Sequence, residues 1–95
     1  MISKKWKWYG DPGDMMMIQV DGIRSLNIPE LRKIESCAWR ICVNHAKNDW
    51  SERGEIQSWN GNVDAPTLES SIVLKLEGVE IWHGWIRNGE FEDAD

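Results

Sequence analysis

The sequence predicts a mainly β fold: a small antiparallel sheet or partly open barrel built from hairpins, with one short helix around residues 30–46. Three observations predict it. Tight-turn dipeptides, Asp21-Gly22, Glu77-Gly78 and Asn88-Gly89, punctuate the chain between apolar-rich runs. A hairpin about Glu77-Gly78 would gather alternate residues of 72–85 onto one largely apolar face. Seven tryptophans in 95 residues supply large apolar area to what is by length a single domain, 1–95, with a thin core.

Near the start, "KKWKWY" mixes lysine and aromatics, the composition of a single-strand nucleic-acid platform and also of an ordinary exposed strand start. "YGDPGD", Tyr9 to Asp14, is a turn cluster with Pro12 and Gly13. "MMMIQV DG IRSLNI" follows, and Asp21-Gly22 suits the positive φ of a two-residue hairpin turn. Residues Pro29 to Asp49 carry two patterns. Leu31, Ile34, Ala38, Ile41 and His45 fall at helical spacing behind Pro29, while Cys37, Trp39, Ile41 and Val43 alternate like a strand. The reading that respects both is a helical turn at Glu30 to Glu35 followed by a strand.

"QSWNGNVDAPTLESSI", Gln57 to Ile72, reads as a corner. Asn60-Gly61 turns the chain after a strand ending at Trp59, and Asp64 to Pro66 bend it again. Pro66 lacks an N–H and suits an entry point, not a central strand. Thr67 and Ser71 can bond to nearby backbone. A turn at Glu77-Gly78 then sets Leu76 against Val79, Lys75 against Glu80, Leu74 against Ile81, Val73 against Trp82 and Ile72 against His83. One face would collect Ile72, Leu74, Leu76, Val79, Ile81, His83 and Trp85. A further turn at Asn88-Gly89 sets Arg87 against Glu90 and Ile86 against Phe91, completing a meander.

The formal net charge of −5 argues against a general nucleic-acid binder, which needs a basic surface. No apolar run reaches the 18 residues of a membrane span, and "MISKKWKW", lacking an apolar central region, is not expected to act as a signal peptide. Cys37 and Cys42 are too far apart to bridge locally in a strand or a helix, so free thiols and a reducing cytoplasm are expected.

The strings "WNGNVDAPTLESSI" and "WHGWIRNGEF" resemble an uncharacterised domain family of phage and prophage genomes. Trp59, Asn60, Gly61, Asn62, Pro66, Thr67, Leu68, Ser71 and Ile72 match its first motif. Trp82, His83, Gly84, Trp85, Ile86, Asn88 and Gly89 match its second, and "DPGD" near Asp11 is similar to its early turn. The resemblance covers roughly the last 40 residues. It implies a phage origin, hence the cytoplasm of an infected bacterial host, and a β-rich fold, but no activity. Glu69-Ser70 stand where the family has Ser-Pro, and Glu80 and "VDGIRSL" stand where many members carry metal-ligand-like cysteines.

Several residues are candidates for chemistry. His83, placed on the apolar face, is a core histidine bonded to backbone or else a general base or metal ligand. With Asn60 and Thr67 it makes a ligand candidate. Cys37, Cys42, His45 and His83 sum to four zinc-type ligands at a non-standard spacing, and Cys42 with His45 is the one local nucleophile–base pair. No phosphate loop, paired-carboxylate motif or nucleotide fingerprint is present, so no cofactor, metal or enzymatic activity is expected. The expected function is that of a small phage-type accessory protein binding a host or phage macromolecule, plausibly inhibiting a host defence system of the CRISPR or restriction type. Trp6, Trp8, Asp49, Trp50, Glu52, Glu55, Asp64 and Glu69 would carry that contact. A degenerate metal- or small-ligand-binding domain centred on His83 is the alternative, and a homo-oligomer packed through tryptophans is a third reading.

Overall fold

The computed structural model describes residues 2–43 and 58–94. Strands β1 (Ser3–Tyr9), β2 (Met15–Asp21) and β3 (Ser36–Cys42) form one antiparallel sheet in that order. Strands β4 (Ile72–Leu76), β5 (Val79–Arg87) and β6 (Glu90–Asp93) form a second. Neither sheet closes, and the helical content of the described residues is two 3-10 turns, Ile23–Leu26 and Pro29–Leu31. The mainly β class read from the sequence holds.

In the first sheet every strand alternates. Lys4, Trp6 and Trp8 of β1 turn inward, and Ser3, Lys5, Lys7 and Tyr9 turn outward. Central β2 contributes Met16, Ile18 and Val20, all fully buried, between Trp6 and Trp8 on one side and Cys37, Trp39 and Ile41 on the other. The hairpin turn lies at residues 10–14, where Tyr9 pairs with Met15 and Gly10 and Gly13 take φ of 83° and 86°. Asp21-Gly22 is therefore not a two-residue hairpin. Gly22, at φ 82°, opens a 3-10 turn, and the N–H groups of Gly22 and Ile23 both donate to the Glu35 carbonyl. The reason is periodicity. Ile23 and Leu26, and then Ile28, Leu31 and Ile34, are spaced by three, which suits 3-10 turns and not a pairing strand. Ile23 and Leu31 plug the end of the core. The expected helical turn survives as Pro29–Leu31. Residues 36–42 are strand, as the Cys37, Trp39, Ile41 alternation required, while residues 44–46 of the expected helix lie outside the described residues.

The second sheet keeps the expected pairing at both turns and breaks it between them. Leu76 faces Val79 and Lys75 faces Glu80, but a bulge between Leu74 and Lys75 then pairs Leu74 with Trp82, Val73 with His83 and Ile72 with Gly84. Ile81 is the extra residue. Ile81 and Trp82 are both buried, and Trp82, Gly84 and Ile86 take the core face. His83 and Trp85 move to the opposite face beside Val73, which is 43% exposed. An unbroken register would bury an imidazole and leave the Trp82 indole in water. The bulge exchanges them, and the indole brings far more apolar area. Arg87 with Glu90 and Ile86 with Phe91 pair as expected.

Both turns of this sheet have two left-handed residues, Glu77 and Gly78 at φ 52° and 82°, and Asn88 and Gly89 at 51° and 76°. Asn tolerates that region and Glu does so poorly. Glu77→Asn should therefore stabilise the protein by about 0.5–1 kcal/mol, read as a higher urea midpoint at unchanged slope. A lower midpoint would show that Glu77 holds the turn by other means.

The two sheets share one apolar cluster that includes Met16, Ile18, Val20, Ile72, Leu74, Ile81, Trp82 and Ile86. Three indoles of the first sheet also tie it to the second half of the chain. Trp6 Nε1 donates to the Gly89 carbonyl at 2.6 Å, Trp8 Nε1 to Val63 at 2.9 Å and Trp39 Nε1 to Lys75 at 2.9 Å. An indole buries much area but carries one donor that must be satisfied. Ladder carbonyls inside a sheet are already used, so these donors reach a turn, a loop and the end of a strand. Each such bond contributes about 1 kcal/mol net.

Candidate functional site

The Trp59–Leu68 corner is built by its own side chains. Trp59 and Leu68 form an isolated bridge, and Asn60 Oδ1 accepts from the N–H groups of Asn62 and Thr67. Asn60 Nδ2 donates to the Ala65 carbonyl, and Asn62 Oδ1 accepts from Asp64 and Ala65. The corner then docks on the β5–β6 turn: Asn88 N–H donates to Thr67 Oγ1, Gly89 N–H to the Pro66 carbonyl and Leu68 N–H to Ile86. The Asn, Pro and Thr of the "WNGN…PTL" string therefore shape backbone, and the "NG" of the second string receives it.

Asn60, Thr67 and His83 do not form one site. Thr67 sits at Asn88, whereas His83 lies five residues up β5, about 17 Å away at strand rise. His83 is also not on the core face. Its ring lies 6.2 Å from that of Trp85, tilted by 32°, and its carbonyl accepts from Ala94 N–H. It borders a cleft of about 510 Å³ lined by Ile2, Lys4, Glu80, Ile81, Trp82, Asp93 and Ala94. Within that cleft Lys4 Nζ stands 5.4 Å over the Trp82 ring, and Trp82 Nε1 donates to Asp93 Oδ1 at 2.6 Å. The cleft thus sets a cation from β1 against carboxylates of β5 and β6, with His83 at its border.

The four zinc-type residues are not gathered either. Cys37 packs on the core side of β3, Cys42 is five residues on and faces the other way, and His83 belongs to the other sheet. His45 lies outside the described residues. Among the described residues no group of three His, Cys, Asp or Glu could hold a metal ion. Both cysteines are free thiols. Burial pushes the Cys42 thiol above the ordinary cysteine value, and the Asp14 carboxylate adds to the rise. Because the thiolate is the nucleophile, Cys42 should alkylate more slowly than a free thiol at neutral pH and catch up only at higher pH. Mass-resolved iodoacetamide kinetics against pH check this, and a rate equal to that of free cysteine at pH 7 would count against it.

Of the residues expected at a partner surface, Asp49, Trp50, Glu52 and Glu55 lie outside the described residues. Trp6 and Trp8 face inward, edge-on to each other at 5.8 Å, with Trp8 edge-on to Trp59 at 5.5 Å. Their donors are used internally. Asp64 and Glu69 are exposed on or beside the corner.

Charge is segregated along the chain. Residues 2–43 carry seven basic and five acidic side chains, and residues 58–94 carry two basic and seven acidic ones. Both bases of the second half already face acids: Arg87 bonds Glu92 at 3.0 Å, and Lys75 pairs with Glu80 across β4 and β5. The outer face of the first sheet is the converse. Lys5 and Lys7 of β1 and Arg40 of β3 project there, so the basic residues of "KKWKWY" gain a third cation from β3. The Lys-x-Lys spacing of "KKWKW" puts Lys5 and Lys7 on one face, and the placement of Arg40 beside them needs the β2–β3 register. Asp21 stands at one end of that face. Hydrogen bonds from Ser36 and Gln19 hold its carboxyl below the ordinary range against some desolvation, with Lys5 adding a smaller pull. No described helix is long and apolar enough to cross a membrane. No family model, curated protein or solved structure matches the chain.

Proposed function

We propose that this is a small phage-type accessory protein that binds a macromolecular partner through the acidic half of residues 58–94. The observation that carries the reading is the excess of carboxylates there, Asp64, Glu69, Glu77, Glu80, Glu90, Glu92 and Asp93, with its two bases already opposed by acids. Such a surface complements a basic one and steers its encounter. A nucleic-acid channel in a host defence complex, of the CRISPR or restriction type, presents that chemistry. The resemblance of the "WNGN" and "WHGWI" strings to a phage family supports the same setting. The contact is read as chiefly electrostatic, since Trp6 and Trp8 are engaged within the fold.

The test is a pull-down from host lysate with the tagged full chain at low and high salt, repeated with Glu69→Lys, Glu90→Lys and Glu92→Lys combined. Capture of a nucleic-acid-handling protein, lost with salt and in the variant, supports the reading. Capture indifferent to both, or none at low salt, counts against it.

The His83 cleft favours a second reading, a small-ligand site. His83→Ala would then abolish ligand binding with the unfolding midpoint unchanged. A shifted midpoint with binding intact would mean that His83 is structural.

A further inference from the structure

We propose that the outer face of the first sheet is a docking surface for single-stranded nucleic acid. Lys5 and Lys7 lie on β1 about 7 Å apart. Arg40 lies on β3, and both Lys7 and Arg40 pair with Met17 of the central strand. The three cations therefore surround a half-buried thioether on the outward side of the three-stranded sheet, whose Met15 end is buried and whose Lys5, Lys7 and Arg40 are exposed. A shallow depression of about 220 Å³ lies among Lys5, Lys7, Met17 and Gln19. The Arg40 guanidinium lies 4.5 Å over the ring of Tyr9, itself 45% exposed. Among the described residues, the acids near this face stand at its ends, Asp21 beside Gln19 and Asp14 beside Cys42.

Charge complementarity selects an anion, and the shape of the platform selects its kind. A guanidinium stacked on a ring, next to a thioether, offers flat polarizable surface to the π-faces of bases, which acidic side chains lack. Lys5 and Lys7 supply phosphate contacts along one border. The net charge of −5 does not cancel this. The excess acids belong to residues 58–94, in a molecule 40 Å long, and the Debye length is about 10 Å at 0.1 M salt. The site is separate from the acidic surface of the proposed function, so either can fail alone.

The test is fluorescence anisotropy of a labelled oligothymidylate of about 12 nucleotides with the full chain. Two phosphate contacts on a single strand, from Lys5 and Lys7, predict a salt slope of about −1.4, hence a loss of roughly 7-fold between about 50 and 200 mM salt. Lys5→Gln, Lys7→Gln and Arg40→Gln combined should remove binding while the unfolding midpoint stays put, since all three side chains are exposed. Arg40→Lys should keep the salt slope but weaken binding severalfold, because it keeps the charge and loses the stack. No binding at the lower salt, or binding retained by the triple variant, overturns the proposal. So does equal binding of polyglutamate, or light scattering in which the triple variant abolishes self-association, which would make the occupant an acidic protein or a second copy.

Discussion

Gly84→Ala is expected to destabilise the protein by about 3 kcal/mol, at the upper end of what overpacking a filled core costs. A Cβ at Gly84 would collide with the backbone carbonyl of Glu92 and with the six-membered ring of Trp82. Neither can retreat cheaply. The carbonyl belongs to β6, held to β5 by its ladder, and the indole is buried, edge-on to Phe91 at 5.5 Å and bonded to Asp93. The cost is steric and not conformational, because Gly84 is not among the positive-φ residues. Gly78→Ala is the matched control. Its φ of 82° disfavours a side chain, but a Cβ there has nothing within 4 Å. It should lose about 1 kcal/mol by strain alone. Urea unfolding followed by tryptophan fluorescence separates the two. Equal midpoints for both variants would mean that the β5–β6 ribbon yields to the methyl group.

That result would also explain the "WHG" string, which composition and spacing leave opaque. The tight turns were legible because their requirement is local: Asn88-Gly89 and Glu77-Gly78 need left-handed backbone whatever surrounds them. The same local signal misled at Asp21-Gly22. There the left-handed glycine opens a 3-10 turn, and the deciding factor was the three-residue spacing beyond it. The bulge at Ile81 was illegible for a deeper reason. It satisfies no local preference and is selected by a comparison of indole against imidazole burial that needs the first sheet in place. His83 went to the wrong face with it. Trp6 and Trp8 are ambiguous for a related reason. A tryptophan beside lysines suits either a binding surface or a core wall, and the carbonyls that satisfy their N–H groups lie 83 and 55 residues away. Asn60 and Thr67 were legible as corner residues, since short polar side chains after a turn bond to nearby backbone.

Trp82→Ala is expected to lose about 3–5 kcal/mol, the range for deleting a buried aromatic, and its coupling to Gly84 distinguishes packing from general fragility. The indole is 7% exposed, opposes Leu74, meets Phe91 edge-on and holds Asp93 at the end of β6. Truncation removes all of these and opens the wall of the His83 cleft. It also empties the volume that a Cβ at position 84 would invade. Gly84→Ala should therefore cost about 1–2 kcal/mol less in the Trp82→Ala background than alone; part of the cost persists, because the Glu92 carbonyl stays. Where the double variant is too unstable to measure, Trp82→Phe serves: it keeps a ring beside Phe91, loses the N–H to Asp93 and should cost about 1–2 kcal/mol. Hydrogen exchange supplies the local readout. The Ala94 amide, bonded to the His83 carbonyl, should lose protection in Trp82→Phe, while the Ile18 amide at the centre of the first sheet keeps its own. Uniform loss at both amides would mean that Trp82 supports the whole fold and not the β5–β6 seam. Strict additivity with Gly84→Ala would mean that the glycine is there for the backbone and not for the ring.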